Sequence, residues 1–118
     1  MNEGWIMLHR KMLDNPIVRR PHYCHLWVVL LLKATHQESG FIFNNRRQSL
    51  KPGQLITGRN KLSEETGIPP STVEHILNYL ESEQQIGQEK KSKFRIITVK
   101  NWDKYQAPKK VGQHVDSQ

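Results

Sequence analysis

Apolar residues near the start of the chain, Trp5, Ile6, Leu8, Met12 and Leu13, recur at helical spacing, and Asn15-Pro16 ends the pattern. Pro21 suits the first position of a second helix, running to about Thr35. The middle of that helix, LWVVLLL, is apolar on every side. It is therefore either the central buried helix or is covered by a partner chain. The period then changes. Phe41-Ile42-Phe43 reads as a strand, Asn44-Asn45 as a turn, and Gln48 to Lys51 as a second short strand. Pro52-Gly53 fits the two central positions of a type II turn, where Gly supplies the positive φ, and Gln54-Leu55-Ile56 reads as a further strand.

Thr57 stands where an N-cap belongs for a helix from Gly58 to Thr66, which Gly67 would terminate; Leu62 and Ile68 should face inward. The following helix, Pro70 to Gln85, sets Val73, Ile76, Leu77 and Leu80 on one stripe. Its cap is either Pro69, with Pro70 at the first helical position, or Ser71, which with Glu74 matches the S-x-x-E capping box. Two strands follow, Ile86 to Lys90 and Phe94 to Lys100, with KKSK as the tip between them; Trp102 and Tyr105 should fold back onto the core. The order strand, helix, tight turn, helix, strand, basic tip, strand predicts a winged helix-turn-helix. The expected fold is α+β, mainly α, with a small antiparallel sheet and additional N-terminal helices. Residues 1–106 would form this domain, and residues 107–118, with almost nothing apolar to bury, a disordered tail.

A chain of 118 residues is one domain by length and long enough to bury a core without staples. Eighteen Lys and Arg against eleven Asp and Glu leave a net charge of +7, which points to a polyanionic partner, nucleic acid before membrane. The longest apolar run, Leu26 to Leu32, is far short of the ~20 residues of a membrane span. A lone cysteine, Cys24, forms no internal disulfide and fits a reducing compartment. The N-terminal MNEGWIMLHRK lacks the apolar stretch of a signal peptide, so a cytoplasmic location is expected.

Charge is unevenly spread. Residues 86–100 carry five cations and one carboxylate, whereas residues 70–85 carry Glu74, Glu81 and Glu83 and no cation. The presumed recognition helix is thus acidic and the hairpin behind it basic. Opposite the apolar stripe of that helix lie Ser71, His75, Asn78 and Ser82, with Thr72 and Glu74 at the flanks. Such short polar groups can hydrogen-bond base edges, but they supply no electrostatic attraction. Ser71 and Thr72 could also meet phosphate at the positive end of the helix dipole. The expected division of labour places His75 and Asn78 on bases, Lys90, Lys91, Lys93 and Arg95 on the phosphate backbone, and Arg59 and Lys61 on further phosphates.

Other motifs carry less. GQLITGRN, Gly53 to Asn60, approaches the phosphate-loop pattern, yet Arg59 and Asn60 replace the required Lys and hydroxyl. His22, Cys24 and His25 do not converge on one helix face and lack a fourth metal ligand, so Cys24 reads as a small buried residue. Trp5, Trp27 and Trp102 lie within apolar patterns and read as core; Phe94, beside the basic tip, is the candidate for stacking on bases. No catalytic arrangement stands out, and neither enzyme activity nor a cofactor or metal is expected.

Three segments, GWIMLHRKMLDNPIV, LKPGQLITGRNKLSEETGIPPSTVEHILNYLESEQQIG and FRIITVKNWDKYQ, together resemble phage replisome-organiser proteins and the N-terminal domain of DnaD-like primosomal proteins. The resemblance covers about residues 4 to 106. It implies a winged helix acting in initiation of DNA replication on a phage or mobile element, binding DNA, duplex in the first instance, self-associating as a homo-oligomer, or both. Many relatives carry Lys or Arg where this chain has Glu74, His75, Asn78 and Tyr79. Two other roles fit the same expectations: a protein-interaction module engaging a replication protein, and a transcriptional regulator.

Overall fold

The computed structural model describes residues 4–106, without the side chain of Tyr105. The expected tail, residues 107–118, and the expected packing of Tyr105 lie outside the described residues.

The helix expected over Trp5 to Leu13 does not form. Residues 4–9 are irregular, and two short 3₁₀ turns follow, Arg10–Asp14 and Pro16–Arg19. Side-chain acceptors explain the tight turns. His9 Nδ1 accepts from the Lys11 amide at 3.1 Å, and Asn15 Oδ1 from the Ile17 amide at 3.0 Å, so local caps satisfy donors that a longer helix would have used. Of these turns only Ile17 is buried; Leu13 is 74% exposed and Trp5, expected in the core, 82%. A short helix with no face to bury is marginal. What fastens this segment is distant in sequence: the buried Gln106 accepts from the Met7 amide at 2.8 Å and donates to the Met7 carbonyl at 2.6 Å.

Helix α1, Pro21–Lys33, begins with proline at its first position as expected. Despite its all-round apolar sequence it buries one face, Tyr23, Leu26, Leu30 and Leu31, while Trp27 and Val29 pack at the edge of the core and Leu32 is exposed. Cys24, expected to be buried, is half-buried on its flank.

Strands β1, Ser39–Phe43, and β2, Arg46–Leu50, form an antiparallel hairpin in which Phe43 faces Arg46. Asn44 and Asn45 make the two-residue loop with φ of 54° and 60°, the left-handed pair that a primed turn requires. A second sheet, in the order β3–β5–β4, is assembled antiparallel from β3 (Gln54–Thr57), β4 (Ile86–Lys90) and β5 (Arg95–Val99). Gly53, at φ 87°, leads into it beneath the buried Trp102.

Two caps differ from expectation. Thr57 stays in β3, opposite Arg95, and Gly58 is the N-cap of α2, Arg59–Thr66, with no side-chain cap. Helix α3, Pro70–Ser82, starts from Pro69; the Ser71–Glu74 capping box is not made, because Glu74 is held elsewhere. Gly67 ends α2 at φ 80° as expected. Helix α3 stops short of Gln85 because Gln84 turns left-handed at φ 61°, and the amides of Gln84 and Gln85 return to the carbonyls of Glu81 and Leu80.

The molecule is thus α+β, with α1, α2, α3 and the short α4 (Trp102–Tyr105) beside two small antiparallel sheets. Val73, Ile76, Leu77 and Leu80 of α3 are fully buried against Leu26, Leu62 and Ile97, each contributing about 1.5–3 kcal/mol on leaving water. Among the described residues no helix is long and apolar enough to cross a membrane.

Candidate nucleic-acid interface

The register of β4 and β5 decides where the basic hairpin points. Ile86, Gln88 and Lys90 lie opposite Val99, Ile97 and Arg95, so these six side chains share one face of the sheet. At one end of that face Ile86, Ile97 and Val99 are buried in the core. At the other end it presents Gln88, Lys90 and Arg95 to α3, where Glu74 projects. Arg95 donates Nη2 to Glu74 Oε1 at 2.8 Å and Nη1 to Oε2 at 3.2 Å, and Lys90 Nζ reaches Oε2 at 3.2 Å. Arg95 Nη1 also donates to Gln88 Oε1 at 2.8 Å. The Arg95 hydrogen bonds hold the Glu74 carboxyl below its ordinary pKa; partial burial opposes them and Lys90 adds to them.

Six of the sequence-predicted residues come together. Arg59 and Lys61 at the start of α2 face Lys90, Lys91, Lys93 and Arg95 of the hairpin across an open groove of about 580 Å³. Their availability differs. The Arg95 side chain is only 12% exposed and engaged with Glu74. Lys90 shares that carboxylate at 3.2 Å and Lys91 pairs with Glu89 at 2.8 Å, and both remain exposed. Arg59, Lys61 and Lys93 are exposed and have no ion pair among the described residues. The groove also meets the amino end of α2, whose first N–H groups have no side-chain cap and so add partial positive charge. Thr57, on the same wall, has a buried hydroxyl with no hydrogen-bond partner among the described residues.

The remaining four, Ser71, Thr72, His75 and Asn78, sit on α3 and do not line this groove. Ser71, His75 and Asn78 are exposed and Thr72 is half-buried. Asn78 Oδ1 lies 3.4 Å from Gln88 Nε2, which makes its shorter bond, 2.9 Å, to Glu81. Gln88 thereby braces the exposed side of α3 against β4.

Phe94 is not presented to solvent as an open ring. It is half-buried, packed edge-to-face on Phe43 at 4.5 Å between centroids and on Phe41 at 6.2 Å. The inward role of Arg95 was readable in principle, since it shares strand parity with Ile97 and Val99. Its partner Glu74 and the docking of the β1–β2 hairpin had no local signal. The chain matches no protein-family model, no curated protein and no solved structure.

Proposed function

We propose that this chain is a winged helix-turn-helix protein that binds duplex DNA, with α2 and α3 as the helix pair and the β4–β5 hairpin as the wing, and that it serves initiation of replication on a phage or mobile element. The observation that carries the reading is the convergence of Arg59, Lys61, Lys91 and Lys93 on one groove at an uncapped helix terminus. Cations so gathered attract a polyphosphate backbone more strongly than scattered ones, because each neutralised phosphate releases condensed counterions. Glu74, the carboxylate of α3 that meets the wing's cations, is compensated within the fold by Arg95 and Lys90, so it adds little repulsion. Ser71, His75 and Asn78 stay open for base edges. The replication role rests on the resemblance of the three quoted segments.

Fluorescence anisotropy of a labelled duplex across a salt series tests the binding. Neutralising Lys91 and Lys93 should weaken it markedly; undiminished affinity would remove the reading. Protection of an origin rather than a promoter in a footprint would separate replication from transcriptional control.

A second reading, a protein-interaction or self-association module, is favoured by the exposed Trp5, Leu13, Leu32 and Ile42. Single exposed apolar residues are ordinary, but with Met7 and Leu8 six large ones are exposed among the described residues, more than solubility favours. Light scattering that shows a concentration-independent monomer would count against self-association.

A further inference from the structure

We infer that the nucleic-acid surface extends beyond the wing onto the β1–β2 hairpin, where Arg46 is a further phosphate-binding residue. The inference rests on the DNA-binding reading and deepens it. Between Ser39 and Ser63 the chain contains no carboxylate and five cations: Arg46, Arg47, Lys51, Arg59 and Lys61. None of the five has an ion pair among the described residues, whereas Lys33, Lys90, Lys91 and Arg95 all do. An unpaired cluster on so short a segment raises the local potential, which is the usual footprint of a polyanion.

Register then separates the two arginines. The pairs Phe41↔Gln48 and Phe43↔Arg46 put Phe41, Phe43, Gln48 and Arg46 on one face, and Ile42↔Arg47 puts those two on the other. The first face is turned to the wing: Phe41, Phe43 and Gln48 are half-buried, and both rings close edge-on around Phe94. The second face is open, with Ile42 72% exposed. Arg46 is therefore one cross-strand step, roughly 5 Å between Cβ atoms, from the ring that packs on Phe94. Phe94 directly follows Lys93 and lines the cationic groove. The aromatic trio thus holds against Phe94, the neighbour of Lys93, the hairpin face that carries Arg46. Arg47 points away from it.

The ligand is the phosphodiester backbone of DNA. No base needs to be read, because an arginine fork matches two phosphate oxygens whatever the sequence. The proposal is tested on the full chain with a labelled duplex of roughly 20 base pairs, measuring affinity between about 50 and 200 mM salt. Arg46→Ala should lose affinity several-fold at low salt and flatten the slope of log K against log salt by about 0.9, the share of a single neutralised phosphate. Arg46→Lys should keep the slope, and Arg47→Ala, on the opposite face, should leave it close to that of the parent. Phe43→Ala, which frees the hairpin from Phe94, should mimic Arg46→Ala. Circular dichroism checks that each variant is folded. A parental slope for folded Arg46→Ala, or equal losses for Arg46→Ala and Arg47→Ala, overturns the inference. If Lys93→Ala still flattens the slope in that case, the wing reading survives without the hairpin. Failure of the parent chain itself to bind at low salt sinks both.

Discussion

Glu74 and Arg95 join α3 to the β4–β5 hairpin by two parallel hydrogen bonds, at 2.8 and 3.2 Å, between a carboxylate and a guanidinium that are both largely withdrawn from solvent. The geometry is the fork-to-carboxylate match in which arginine exceeds lysine. It explains why an acidic helix can stand beside a basic hairpin: the carboxylate is the hairpin's internal counter-charge. Lys90, across the strand from Arg95, shares it. The arrangement leaves Arg59, Lys61 and Lys93 as the groove's cations without an ion pair among the described residues, and Lys90 and Lys91 paired yet exposed.

Replacing Glu74 by Gln should destabilise the fold by about 1–3 kcal/mol, because Arg95 would keep its burial and lose its counter-charge. The loss should depend on pH. The folded pKa of Glu74 lies below its ordinary value of 4.5, so its stabilisation is complete above that value and disappears as pH falls through the lower, folded one. Thermal melts at pH 7 and near pH 3 should show the gap between parent and Glu74→Gln closing in acid. A gap independent of pH would mean that Glu74 stabilises by packing alone.

Gly53→Ala should lower the melting temperature. A Cβ at Gly53 would come within 2.7 Å of Cβ and Cγ of Trp102, and the residue already sits at φ 87°. The left-handed conformation costs about 1 kcal/mol for alanine and the clash about 1–3 more. A melting temperature equal to the parent's would require Trp102 to move freely, which its burial argues against.

Asn45 occupies the second left-handed position of the β1–β2 loop. Asn45→Gly should preserve or slightly raise stability, since Asn-Gly is the preferred pair for this turn. Asn45→Val should lower it, by an amount on the order of 1 kcal/mol, because a β-branched side chain resists positive φ. Denaturant unfolding of the two variants would reveal the contrast, and equal midpoints would refute the turn assignment.

If Arg59, Lys61, Lys91 and Lys93 each meet one phosphate, the slope of log K against log salt should include about −3.6 from these four, and alanine at all four should remove it. His75→Ala and Asn78→Ala should behave differently: little change in slope, but discrimination between sites reduced by about 1–3 kcal/mol for each base no longer read. Competition with unrelated duplex separates the two effects. A slope change caused by Asn78→Ala would place phosphate binding on α3 instead.

Periodicity, turn residues and terminators carried most of the element order: the stripe Val73, Ile76, Leu77, Leu80, the turns at Asn44-Asn45 and Gly53, and the stop at Gly67 all reappear. Each is a local preference of a few neighbouring residues. The N-terminal segment shows the limit. Its apolar spacing is helical, yet among the described residues Trp5 and Leu13 are left exposed, and local caps at His9 and Asn15 prevail.

From residue order alone come the helices and strands between Pro21 and Val99 and the basic character of the final hairpin, because propensity and charge belong to residues one at a time. Packing is what assigned the cations. Arg95 turned inward to Glu74, twenty-one residues away, while Lys93 stayed open beside Arg59 and Lys61. Phe94, which looked free to stack, was claimed by Phe41 and Phe43. The reason is that ion pairs and ring contacts form between distant segments only after the sheet register has fixed which side of each strand faces the helices.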